Sequence, residues 1–145
     1  MPNNYLAYFS ALVKHETDLW NLVEAHLAEA GGTTLGRLKA LHVIEGTPNC
    51  RIQDIADGLG ITVGAASRLT DRLEADGFVS RAPNPGDRRG SIIHLVAAGE
   101  KAIAHTEPLA QRALERALGT VDPATLVAAT ETLTRFNAIA RGKAL

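Results

Sequence analysis

The segment from Thr62 to Leu73 runs through Gly77 into Phe78-Val79, and then into Arg81-Ala82-Pro83-Asn84-Pro85-Gly86-Asp87-Arg88-Arg89. No other stretch constrains the fold as strongly. Threonine is a favoured helix N-cap, because its hydroxyl accepts from a backbone N–H that the helix leaves unpaired. Beyond Thr62, the residues Ala66, Leu69, Thr70 and Leu73 fall on one face of a helix. Gly64, Arg68, Asp71 and Ala75 fall on the opposite face, flanked by Ala65, Ser67 and Arg72. Gly77 closes the helix. Strands are expected over 78–82 and 91–96, the second alternating about Ile93 and Leu95. Pro83, Pro85, Gly86 and Gly90 predict a loop between them too long for a tight turn. The pattern is that of a helix with an exposed face, leading directly into an arginine-tipped hairpin.

The flanking sequence is helical. Asn3 or Asn4 caps a first helix, in which Tyr5, Tyr8, Phe9, Leu12, Leu19, Val23 and Leu27 recur at helical spacing until Gly31-Gly32. Thr34 opens a second, with Leu35, Leu38, Leu41 and Ile44 inward, and Gly46-Thr47-Pro48 ends it. A third starts near Arg51 or Ile52 with Ile52, Ile55, Ala56 and Leu59 on one face, and Gly60 supplies its left-handed terminus. Residues 97–118 form a long helix that Pro108 is expected to kink or break. Asp122-Pro123 starts the last helix, which carries Leu126, Val127, Leu133, Phe136, Ile139 and Ala140. A tiny strand near Cys50, pairing with the hairpin, completes the expected order of four helices, two strands and two helices.

Composition narrows the function classes. Aromatic residues are 4% of the 145, and leucine and alanine dominate, which favours helices over a β-sandwich. No apolar run is long enough to span a bilayer and no secretory signal is visible, so a cytoplasmic location is expected. A single cysteine, Cys50, rules out an intrachain disulfide framework. A net charge of -1 argues against coating nucleic acid through bulk charge. Locally, however, Arg81, Arg88 and Arg89 outnumber one acid, Asp87. There is no phosphate-cradling glycine loop and no nucleophile–base arrangement with supporting context, so an enzyme is not expected.

Residues 52–79 closely resemble the core of MarR-type transcriptional regulators, and the likeness continues through Arg81, Asn84-Pro85, Asp87-Arg88-Arg89 and the run from Leu95 to Gly99. The resemblance implies a mainly α fold with a small β-hairpin wing. It assigns 33–96 to a winged helix-turn-helix and 3–30 and 97–142 to dimerisation helices. It implies a homodimeric repressor that binds an inverted repeat in double-stranded DNA and is released by a small ligand. Candidate DNA contacts are Thr62, Val63, Gly64, Ala65, Ser67, Arg68 and Arg72 on the helix, with Asp87, Arg88 and Arg89 on the wing. The physical chemistry points the same way. Small residues let a helix approach base edges in the major groove, Val63 or Ala65 suits thymine methyls, and Ser67 and Arg68 can donate to bases or phosphates. Arginine on a flexible loop suits a narrow minor groove. By resemblance, Asp87 and Arg89 hold the wing in shape and Arg88 or Arg89 enters that groove. Arg72 and Arg51 are candidates for phosphate, and an Arg68–Asp71 surface pair is the competing role for Arg68. Val96 stands where the family usually has a capping threonine, and valine cannot cap.

The resemblance also implies a response to a small aromatic acid, a metal or an oxidant, with ligands usually bound between the dimerisation helices and the winged domain. Tyr8, Leu12, His15, Arg37 and Leu41 are the candidate lining, with Leu19 beside them, and Arg37 or His15 would pair with a carboxylate. The alternative is that the apolar members are core and Arg37 is solvated. No cofactor is expected. The five histidines form no tight zinc motif. Cys50, placed before a helix N-terminus, is a candidate thiolate sensor, against a bland role as a small buried apolar residue. The competing functions are a metal- or redox-responsive regulator of the same fold, and a winged-helix module that binds protein without DNA.

Overall fold

The computed structural model describes residues 3–84 and 86–142; of Asn84, Asp87, Arg88 and Arg89 it describes the backbone alone. Among the described residues, six helices and one hairpin follow the expected order: α1 (Tyr5–Ala30), α2 (Leu35–Gly46), α3 (Ile52–Leu59), α4 (Val63–Ala75), β1 (Val79–Asn84), β2 (Asp87–Leu95), α5 (Ala97–Leu118) and α6 (Pro123–Ala140). The mainly α, hairpin-bearing class is as the sequence implies. None of the helices is long and apolar enough to cross a membrane.

Local chemistry sets most of the boundaries. Asn4 Oδ1 accepts from the Ala7 N–H at 2.9 Å, Thr34 Oγ1 from Arg37 at 3.2 Å, and Asp122 Oδ2 from Thr125 at 3.3 Å. At α3, Asp54 Oδ2 reaches back to the Arg51 N–H at 2.8 Å. One cap comes from a distance: Glu24 Oε1, on α1, accepts from the Leu35 N–H in the first turn of α2.

The chain divides into two compact units, one ending at Ala113 and one beginning at Leu114. The core of the first gathers one side of every element in it. Leu27 of α1, Leu38 and Leu41 of α2, Ile55 of α3, Ala66 and Leu73 of α4, Val79 of β1 and Ile93 of β2 are all at most 3% exposed. Each fully buried leucine or isoleucine contributes roughly 1.5–3 kcal/mol relative to an exposed one. α5 is fastened to the α1–α2 junction and to α2 itself by three polar contacts. The Thr33 N–H donates to buried Thr106 Oγ1 (3.2 Å), His105 Nε2 lies 3.2 Å from the Gly31 carbonyl, and His42 Nε2 lies 3.1 Å from Glu107 Oε2. In the second unit, α6 buries no side chain. Leu126, Val127, Leu133, Phe136 and Ile139 are exposed along it.

Three sequence expectations need correction. Pro108 does not break α5, which runs unbroken from 97 to 118; buried Thr106, Leu109 and Ala110 on either side hold it by packing. The strands are longer than expected and leave no long loop, because Asn84 pairs with Asp87 across 85–86. That closure is reached by a register slip. From Val79↔Leu95 to Pro83↔Ser91 the ladder is regular, and then Arg88, Arg89 and Gly90 have no opposite residues on β1. Proline donates no ladder hydrogen bond, which fits the loss of register after Pro83. Finally, the segment at Cys50 is not a strand, although its carbonyl accepts from the Ile93 N–H at 2.8 Å.

The uncapped start of α5 is fixed another way. The Val96 N–H donates to the Phe78 carbonyl at 3.1 Å, and Gly99 is buried directly against that carbonyl. A Cβ on Gly99 would lie 2.2 Å from the Phe78 oxygen.

Candidate nucleic-acid interface

α3 and α4 form a helix-turn-helix whose geometry begins at Gly60. This residue sits at φ 67°, in the left-handed region open to glycine, and its N–H donates to the Ala56 carbonyl. Two residues later Thr62, in extended conformation, accepts from the Ala65 N–H at 3.1 Å and starts α4. Ala66, Thr70 and Leu73 then point into the core, and Thr70 satisfies its own buried hydroxyl on the Ala66 carbonyl at 2.8 Å. At the far end, Arg37 Nε of α2 lies 2.8 Å from Asp76 Oδ2 in an ion pair, which ties the C-terminus of α4 to the core.

The inward positions leave an exposed face. Thr62, Val63, Gly64, Arg68, Asp71 and Arg72 are exposed, while Ala65 and Ser67 are half-buried at its edge. There is no acid in the first turn of α4, so its N-terminal dipole end stays favourable to an anion. The competing role for Arg68, a surface pair with Asp71, is not formed. Asp71 Oδ1 is instead bound by Arg81 Nη2 of β1, and Arg68 and Arg72 have no ion pair among the described residues. Sequence reading missed this pair. Opposite charges ten residues apart, on a helix and on the strand after it, carry no local signature. Arg81 also lines an open groove of about 390 Å³ at the hairpin base, with Arg51, Ile52, Gln53, Gly90, Ser91 and Ile93.

The side-chain roles expected of Asp87, Arg88 and Arg89 lie outside the described residues. Their backbone forms the far part of the hairpin, with 88 and 89 in the slipped segment.

The chain matches the MarR family model over residues 33–91, the span from the α1–α2 turn to the hairpin. Over that span the chain carries a MarR family domain. It is 26% identical over 122 residues to the uncharacterized HTH-type transcriptional regulator YfiV of Bacillus subtilis, covering 77% of this chain and 76% of that protein. Its fold is that of a MarR family transcriptional regulator from Streptomyces coelicolor solved in complex with DNA (TM-score 0.80, 21% identity, 92% and 85% of the two chains). It is also that of Bordetella bronchiseptica BpsR, whose DNA binding is regulated by 6-hydroxynicotinic acid (TM-score 0.71, 18% identity, 88% and 98%). The matched span contains the helix-turn-helix and most of the hairpin.

The expected effector residues are distributed unevenly. Leu41 is fully buried core, and Arg37 is engaged by Asp76. Tyr8 and His15 are exposed on α1 and Leu12 is half-buried there. Among the described residues, no three His, Cys, Asp or Glu side chains cluster as metal ligands.

Cys50 behaves as a core residue. It is 1% exposed, and burial, with Asp54 nearby, pushes its thiol up to about 11. Any pull of the α3 N-terminus toward thiolate is outweighed by desolvation. The sign for stability follows: the unfolded thiol ionises at a lower pH than the folded one, so this contribution is intact below about 9 and is lost as pH rises toward 11. Alkylation of the folded protein at pH 8 should therefore be far slower than that of the urea-unfolded chain. Equal rates would mean that the thiol is accessible and ionisable.

Proposed function

We propose that this chain is a homodimeric, sequence-specific regulator of transcription that binds an inverted repeat in double-stranded DNA. The observation that carries this reading is the outward face of α4. It has small residues at its N-terminal end, no acid in its first turn, and an arginine at 68 free of ion pairs among the described residues. The N-terminal part of such a face enters a major groove without steric or electrostatic opposition. Thr62, Val63, Gly64, Ala65, Ser67 and Arg68 would meet base edges or the adjoining phosphates, and Arg72 a phosphate. Asp87 and Arg89 would hold the wing, with Arg88 or Arg89 in the neighbouring minor groove.

Dimerisation through residues 3–30 and 97–142, flanking a DNA-binding part at 33–96, is supported by two exposed apolar surfaces. Tyr5, Leu6, Tyr8, Phe9 and Val13 are exposed on α1, and α6 buries nothing. Half-site centres are then expected about one helical turn apart. For the effector, a small aromatic carboxylate remains the proposed class. With Leu41 committed to the core, Tyr8, Leu12 and His15 on α1 are the better lining, and Arg37 would bind a carboxylate only by releasing Asp76.

Selection of bound fragments from the source genome by the purified protein tests the reading. Recovery of an inverted-repeat motif is expected. Recovery of no motif, with and without zinc and reductant, would sink it and favour a protein-binding winged helix.

A further inference from the structure

The Arg81–Asp71 pair gives Arg81 a role different from that of the other arginines near α4. We infer that Arg81 is a positioning residue that acts through Asp71: from the base of the wing it neutralises a carboxylate on the DNA-facing side of the recognition helix. The inference rests on the DNA-binding reading above.

Three observations carry it. First, Asp71 shares the outward face of α4 with Gly64 and Arg68 by helical spacing, its side chain is 62% exposed, and it is the sole acid of α4 before Glu74. A carboxylate at that place opposes phosphates, and the opposition grows as docking removes water from around it. Second, Arg81 Nη2 contacts Asp71 Oδ1, and the Arg81 side chain is the better buried of the two at 30% exposed. Its guanidinium is thus committed to the protein, whereas Arg68 and Arg72 have no ion pair among the described residues. Third, Arg81 lies opposite Ile93, in the regular part of the ladder and two pairs before the register slip. Ile93 is buried and bonded to Cys50. The guanidinium is therefore held against α4 from the regular part of the ladder, and does not project with the slipped segment at 88–90. An exposed ion pair adds little to folding; the consequence is expected in the complex.

A double-mutant cycle in DNA binding separates this role from a direct phosphate contact. Wild type, Arg81→Gln, Asp71→Asn and the double variant would be titrated against the selected operator over a range of salt, with circular dichroism to confirm that each is folded. Arg81→Gln alone is expected to weaken binding about tenfold, equivalent to about 1.4 kcal/mol. Adding Asp71→Asn is expected to restore most of that loss, and the double variant, with unchanged net charge, should keep the wild-type salt slope. An equal loss in both backgrounds would overturn the inference. So would a salt slope about 2 units shallower in the double variant, since each phosphate contact contributes about 0.9 and a dimer has two copies. An Arg81→Gln variant that binds like wild type would overturn it as well. If wild type binds no DNA sequence at all, it is the regulator reading that fails, and this one with it.

Discussion

Gly99→Ala is expected to destabilise the protein by about 2 kcal/mol, against the ordinary preference of helices for alanine over glycine. The added Cβ would stand 2.2 Å from the carbonyl oxygen of Phe78, 3.1 Å from its carbon and 3.2 Å from Leu95 Cδ2. The closest of these atoms is backbone, so no rotamer change relieves the contact; the start of α5 has to move away from the start of β1. That movement strains the Val96–Phe78 hydrogen bond, which fixes the start of α5 in place of a side-chain cap. For a chain of this size the loss corresponds to a fall in Tm of roughly 4–8 °C. Gly36→Ala is the matched control. A Cβ there meets nothing within 4 Å, and Gly36 is also helical. It is expected to be neutral or stabilising by up to about 1 kcal/mol. Thermal unfolding of both variants checks the pair of signs. A Gly99→Ala protein as stable as Gly36→Ala would show that α5 does not pack against the Phe78 carbonyl as closely as described.

The second large effect is expected at the wing. Arg88→Ala/Arg89→Ala should weaken operator binding about 100-fold or more, taking one arginine–DNA contact of about 1.4 kcal/mol in each subunit. Four cations leave each dimer, so the salt dependence should become shallower by up to about 3–4 in log–log slope. Stability of the free protein should change by less than about 0.5 kcal/mol if these side chains are solvated. The register slip supports the assignment. Regular pairing stops after Pro83, and 88–90 are the residues without opposites, so they are released from the regular ladder. Unchanged affinity and slope would deny the wing any part in DNA binding. A loss of affinity with an unchanged slope would place both arginines in holding the wing's shape instead.

Much of the fold was legible because its signals are local. Thr34, Thr62 and Asp122 each cap the helix they were expected to open, since a hydroxyl or carboxylate needs only its own next three residues to do so. Gly60 takes the left-handed conformation at the turn into α4 because only the chain on either side of it is involved. The inward set Ala66, Thr70 and Leu73 follows from helical periodicity alone. That same periodicity showed which face of α4 is outward, and with it most of the candidate DNA-contact surface.

What the sequence by itself determined, then, is the order of the elements, their caps and the outward face of the recognition helix. Each depends on interactions spanning a few residues. The tertiary structure alone decided what meets across longer separations. It paired Asp71 with Arg81, brought Glu24 to the first turn of α2, pressed Gly99 against Phe78 and buried Leu41 in the core. It also drew the hairpin tight, at the cost of a slipped register that no count of prolines and glycines reveals. A charge has several neighbours within reach along a chain, and packing decides which of them, or which distant group, stands beside it once the helices and the hairpin have closed on one another.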